Sequence, residues 1–167
     1  MPINKYIYSF SYENTESELC KLESRYIFNK EEKNRLLFSD VIVEPSDSAF
    51  IKSRLDIISF SKDYARLINK IKKENICIEG FKVEYLVFDS DTTEYRERLK
   101  KLKDIGWSIE GIPDYYNPIK TYALCYYEGV WCFGILIKDN FAWHLHKQKP
   151  CSYSNSISIS IAKALVN

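Results

Sequence analysis

Glycine is scarce in this chain. Five residues, Gly80, Gly106, Gly111, Gly129 and Gly134, are all that 167 positions hold. None is spaced as GxGxxG or as a P-loop, so no phosphate-cradling turn is visible. A GxSxG nucleophile elbow is also missing, and two histidines leave little for a catalytic triad. The five cysteines, Cys20, Cys77, Cys125, Cys132 and Cys151, are odd in number and form no CxxC pair. That argues against a disulfide framework and against a thiolate zinc site, and it points to a reducing cytoplasm. The first eighteen residues, MPINKYIYSFSYENTESE, lack the apolar run of a signal peptide. No stretch approaches the roughly 20 apolar residues that span a bilayer.

What is present is an ordinary globular balance: 46% hydrophobic and 28% charged residues. A chain of this length forms one domain or two small ones and buries a core without disulfides or metals. Aromatic side chains are frequent, with 13 Tyr, 9 Phe and 3 Trp. They serve either as core or as platforms for flat ligands. The net charge of +1 hides an asymmetry. After Asp139 the chain carries Lys147, Lys149 and Lys163 and no acid. A local positive patch attracts phosphate even on a nearly neutral protein, although three lysines are equally compatible with a solvated tail.

The periodicities predict a sequence of short elements. A strand runs from Lys5, and a helix opens at a Thr15/Glu18 capping box with Leu19, Leu22, Tyr26 and Ile27 on one face. Two strands follow, one ending at Pro45 and one near Arg54–Phe60. A second helix begins after a Ser61 cap, with Tyr64, Leu67, Ile68 and Ile71 inward. Phe81–Phe88 alternates as a strand. The third helix is capped by Asp91 or Thr92, packed by Tyr95, Leu99 and Leu102, and stopped by Gly106. The segment WSIEG reads as a short strand. A hairpin turns at Glu128-Gly129, where glycine permits positive φ. Gly134 inside its second strand suggests a bulge or a close backbone approach. NFAWHLH extends that sheet, and a Ser-rich loop leads into the helix start IAKALVN. The order is β-α-β-β-α-β-α-β-β, so the fold class is α+β, with a division near residue 60.

Two groups of residues are candidates for chemistry. His144 and His146, with Lys147, Lys149 and the aromatic Trp143 and Tyr153, combine cations with stacking faces. That mixture suits unpaired nucleotides. The same HxH pair has a metal-site look, but a metal needs a third ligand and none is nominated nearby. Arg96, Lys100 and Lys103 recur at i, i+4 and i+7 and form a basic stripe on the third helix. The alternative for that stripe is a plain solvated helix face.

The segment HKQKPCSYSNSISISIAKALVN resembles the one that joins a THUMP domain to the catalytic domain in the tRNA guanine-N(2) methyltransferases. Lys149-Pro150 matches its first part, and Ala162, Lys163, Ala164, Leu165, Val166 and Asn167 match its closing helix. Upstream, Asp114 and Asn117-Pro118 resemble the Asp-x-x-Asn-Pro loop before the last THUMP strands. Phe81–Phe88 resembles the inner THUMP strand, and Trp131-x-Phe133-Gly134 the closing one. SDSAFIKSRLDII is similar to a bacterial branch with a ferredoxin-like N-terminal unit.

The resemblance implies three parts: residues 1–60 as a ferredoxin-like unit, 61–148 as a THUMP-like RNA-binding domain, and 149–167 as a linker and first helix of a methyltransferase domain. It implies tRNA as partner. It implies S-adenosylmethionine as the cofactor of the parent protein rather than of these residues, because the family's glycine-rich cofactor motif and its Asp-Pro-Pro-Tyr type motif do not occur here. The chemistry then belongs to residues beyond Asn167, and no catalytic residue is expected in this chain. Two other readings stand beside this one: a non-enzymatic protein-interaction module using the aromatic hairpin, and a small enzyme working through His144 or His146.

Overall fold

The structure, a computed structural model, describes residues 5–88, 91–140 and 157–166. The strands are β1 (Tyr6–Phe10), β2 (Leu36–Ser39), β3 (Ile51–Ser61), β4 (Phe81–Leu86), β5 (Lys120–Tyr127) and β6 (Val130–Lys138). The helices are α1 (Ser17–Phe28), α2 (Tyr64–Lys73), α3 (Tyr95–Gly106) and α4 (Ile159–Val166). The strands hydrogen-bond in the order β2-β1-β3-β6-β5-β4. This mixed sheet with its four helices is the α+β class that the sequence predicts. Among the described residues no helix is long and apolar enough to cross a membrane.

The chain divides into two compact units, Met1–Arg54 with Ile137–Asn167, and Leu55–Leu136. In the first, β1 and β2 are antiparallel, with Tyr6 opposite Ser39 and Ser9 opposite Leu36. Tyr8, Phe10, Cys20, Phe28, Leu37 and Phe50 build its core. Helix α1 is entered from a short 3-10 turn in which the Glu13 amide donates to Glu16 Oε2 at 3.3 Å. The capping pair is therefore Glu13/Glu16 and not Thr15/Glu18. Its inward face is Cys20, Glu23, Ser24 and Phe28. Leu22 is exposed and Tyr26 is 81% exposed, against the expected face. The reason is polar: the Glu23 carboxylate goes inward to accept from Ser48 Oγ at 2.6 Å and from the Ala49 amide at 3.0 Å. Helix α4 joins this unit through the Ser160 hydroxyl, which donates to Glu16 Oε1 at 2.7 Å, and through Lys163 Nζ, which donates to the Ser46 carbonyl.

In the second unit β4 and β5 are parallel, and β5 and β6 form the expected hairpin. Glu128 and Gly129 are its two turn residues, both at positive φ (46° and 82°), as a tight two-residue connection requires. Gly134 marks a close backbone approach: a Cβ there would sit 2.0 Å from the Asp56 carbonyl oxygen. The core collects Leu67 and Ile71 from α2, Ile105 from α3, Phe81, Tyr122, Leu124, Trp131 and Phe133. The face predicted for α2 is the one observed, with Leu67 and Ile71 buried and Tyr64 and Ile68 partly so. Its cap is Asp63, whose carboxylate accepts from the Arg66 amide at 2.8 Å, and not Ser61. WSIEG is not a strand; it contributes one bridge, Glu110 opposite Cys77. Cys125 and Cys132 are buried and face each other across the hairpin, as expected of hairpin core residues. The proposed sheet extension NFAWHLH lies outside the described residues.

Candidate nucleic-acid interface

Helix α3 decides what the second unit offers to solvent. It is not capped by Asp91 or Thr92. Asp91 Oδ1 instead closes a turn by accepting from the Thr93 amide at 2.9 Å, and the helix begins after Glu94. Arg98 Nε then donates to the Thr93 carbonyl at 2.7 Å. Its guanidinium lies 5.4 Å from the Tyr85 ring centroid, and Lys101 Nζ lies 4.5 Å from that of Tyr64 and 5.0 Å from that of Trp131. Long basic side chains cover aromatic rings well, because the stem is apolar and the head is drawn to the π face. These two occupy the inward side together with Ile105, so the helix sits rotated from its expected setting. Tyr95 is 71% exposed and Leu99 is exposed as well, whereas Leu102 packs against the core as expected.

The rotation leaves Arg96, Lys100 and Lys103 together on the outward face, all exposed. None of the three takes part in an ion pair among the described residues, in contrast to Lys101, which pairs with Glu97 at 2.6 Å. Unpaired surface cations are available to an external anion without first breaking a bond. Helical spacing carries the stripe one turn further, to Trp107, which is 87% exposed. The sequence reading missed this residue because it assigned Trp107 to a strand. Its position four after Lys103 is the signal that would have placed it on the stripe. Arg66 and Lys73 of α2 are exposed, as is Lys62 just before it.

A second exposed group follows α3. Tyr115 and Tyr116 stand out from the loop before β5. The loop is held by its backbone: the Asp114 amide donates to the Phe81 carbonyl at 2.8 Å, and the Ile119 amide to that of Gly80 at 2.6 Å. Asp114 Oδ1 accepts from the Tyr116 and Asn117 amides at 2.9 and 3.0 Å, and these bonds hold its carboxyl below the usual aspartate range. This is the stretch likened above to the Asp-x-x-Asn-Pro loop. His144, His146, Lys147 and Lys149 lie outside the described residues. Among the described residues no group of three or more His, Cys, Asp or Glu side chains could hold a metal ion.

No family model matches the sequence, and no curated protein does. Solved structures do resemble the fold. PH1313 from Pyrococcus horikoshii OT3 superposes with a TM-score of 0.54 at 10% identity, over 81% of this chain and 55% of that one. TrmN from Thermus thermophilus gives 0.50 at 6% identity, over 80% and 46%. A 4-thiouridine synthetase, solved as an RNA complex with bound ATP, gives 0.47 at 12% identity, over 82% and 42%. The chain spans about half the length of the solved structures it matches. At such identities the likeness is one of fold, and the fold is of the ferredoxin-like and THUMP-like kind.

Proposed function

We propose that this chain is the RNA-recognition portion of an S-adenosylmethionine-dependent RNA methyltransferase whose target is a guanosine in tRNA. The observation that carries the nucleic-acid part is the outward face of α3, where Arg96, Lys100 and Lys103 stand exposed without ion-pair partners. Such a stripe offers phosphates a line of contacts, and phosphate contacts supply most of the sequence-independent affinity for RNA. The THUMP-like fold agrees with that reading. The methyltransferase part rests on the resemblance of Lys149-Pro150 and Ala162–Asn167 to the family's joining segment. In this reading residues 1–60 are the ferredoxin-like unit, 61–148 the THUMP-like unit and 149–167 the junction, in the reducing cytoplasm that the cysteines suggest.

S-adenosylmethionine does not fit the residues present. Its family motif needs closely spaced glycines, and the five glycines here are nowhere spaced that way. No step through that cofactor is derived for this chain; its own residues bind and orient. His144, His146, Lys147 and Lys149 are proposed as further RNA contacts on their residue types alone, cations beside aromatic faces. Replacing Lys147 and Lys149 together with glutamate should weaken tRNA binding about tenfold or more, at about 1 kcal/mol per reversed contact. A gel-shift titration checks this, and an unchanged midpoint removes the pair from the interface.

A further inference from the structure

Between α2 and α3 the second unit carries an open groove of about 530 Å³. Tyr64, Ile68, Asn69 and Lys72 line it from α2, and Asp104 and Trp107 from the α3 side. Three properties of this groove need an explanation. One of its walls is an indole that is 87% exposed, which is unusual for the side chain with the most apolar surface to hide. The Asn69 amide and the Asp104 carboxylate have no hydrogen-bond partner among the described residues. The groove also lies at the end of the Arg96–Lys100–Lys103 stripe and yet contains an acid.

The acid decides what the groove takes. A carboxylate repels phosphate, so this is not one more phosphate contact. It accepts two hydrogen bonds side by side. Among unmodified nucleobases, guanine presents two adjacent donors on its Watson–Crick edge, N1–H and the exocyclic amine, beside an acceptor, O6. Cytosine and adenine present one exocyclic donor beside an acceptor, and uracil one donor between two acceptors. The Asn69 amide and the Lys72 ammonium are the donors available for O6. A flat ring stacked on Trp107 covers the exposed indole, as aromatic side chains commonly do for unpaired bases. The other ligand suited to an indole beside a carboxylate is a cationic side chain. Lys72, which lines the groove, disfavours that ligand electrostatically.

We propose that the α2–α3 groove is a subsite for one unpaired guanine, stacked on Trp107 and read by Asp104. The proposal rests on the RNA-binding reading above and adds a base preference that the basic stripe alone does not supply. Phosphates on Arg96, Lys100 and Lys103 bring a strand along α3, and the base that reaches Trp107 is held when its edge matches. The subsite positions the strand and performs no chemistry.

The test is fluorescence anisotropy with the 167-residue chain and three labelled uridine hexamers that carry one guanosine, inosine or adenosine at the same position. Inosine keeps N1–H and O6 but lacks the exocyclic amine. The expected order is guanosine tightest, inosine intermediate and adenosine weakest, with about tenfold between the extremes. Asp104→Asn should erase the preference. Trp107→Ala should weaken all three hexamers by about tenfold. Charge reversal of Lys100 and Lys103 should weaken all three while keeping the order. Both groove residues lie at the surface, and an unchanged thermal midpoint establishes that the variants fold. Equal affinity for the three hexamers, with tRNA still bound, overturns this inference and leaves the RNA-binding reading standing. Failure to bind tRNA as well as the hexamers overturns both. Binding of an arginine-containing peptide that depends on Asp104, without any base preference, overturns the guanine assignment in favour of a protein ligand.

Discussion

Glu23 is buried inside the first unit, where its carboxylate bonds the Ser48 hydroxyl and the Ala49 amide. Both donors lose their partner if the side chain is cut back, and an unsatisfied buried donor costs about 1–3 kcal/mol. Glu23→Ala should therefore lower the free energy of unfolding measured in urea by about 1–3 kcal/mol, while Leu22→Ala on the exposed side should leave it nearly unchanged. Equal small effects for the two would place the α1 face where apolar spacing alone puts it. Asp114 gives a second residue-scale prediction, with a sign. Two amide bonds lower its folded pKa. The unfolded value is about 3.9. A group with a depressed folded pKa stabilises above its unfolded pKa, and the stabilisation fades as pH falls through the folded value. The thermal-midpoint gap between the wild type and Asp114→Ala should be full at about pH 6 and should shrink below about pH 4. A gap independent of pH would mean that the carboxylate does not hold this loop by its charge.

Elements show what the sequence makes legible and where it misleads. The strands and the hairpin are readable because period-two alternation and a Glu-Gly turn are local properties of backbone and side chain. Helix α2 is readable because its inward side is purely apolar, with Leu67 and Ile71 buried. Helices α1 and α3 are readable only in part, with Leu19, Ile27 and Leu102 packed on the cores as expected but Leu22, Tyr26, Tyr95 and Leu99 exposed, and for one physical reason. Each turns polar side chains inward: Glu23 and Ser24 in α1, and Arg98 and Lys101 in α3. Burial of those groups depends on partners far away in sequence, Ser48 for one and the Tyr85, Tyr64 and Trp131 rings for the other. Apolar periodicity contains no such information. The stripe residues Arg96, Lys100 and Lys103 were legible as a face, since spacing alone defines one, whereas Trp107 was hidden by its assignment to a strand. Gly134 is the element-scale position with the sharpest consequence. A methyl there meets the Asp56 carbonyl at 2.0 Å, so β6 has to move away from it. Gly134→Ala should cost about 1–3 kcal/mol or more in chemical denaturation, as overpacking does. Its amide protection loss should be concentrated in β5 and β6. A wild-type denaturation curve would contradict the close approach.

At the scale of the whole molecule, charge placement matters more than total charge. A chain of net +1 is not drawn to a polyanion by its overall field. Its affinity must come from local groups, and on the described surface the α3 stripe is one place where exposed cations line up without ion-pair partners. Specific and moderate binding is expected, rather than the indiscriminate adhesion of a strongly basic protein. Each phosphate neutralised contributes about −0.7 to −0.9 to the slope of log K against log salt. The most direct test measures the affinity of this chain for tRNA and for heparin across a salt series, with the Arg96→Glu/Lys100→Glu/Lys103→Glu variant alongside. The expected result is a preference for tRNA, a slope of about −2 or steeper, and a shallower slope by about two in the variant. Equal affinity for heparin, or a slope that the variant leaves unchanged, would contradict it.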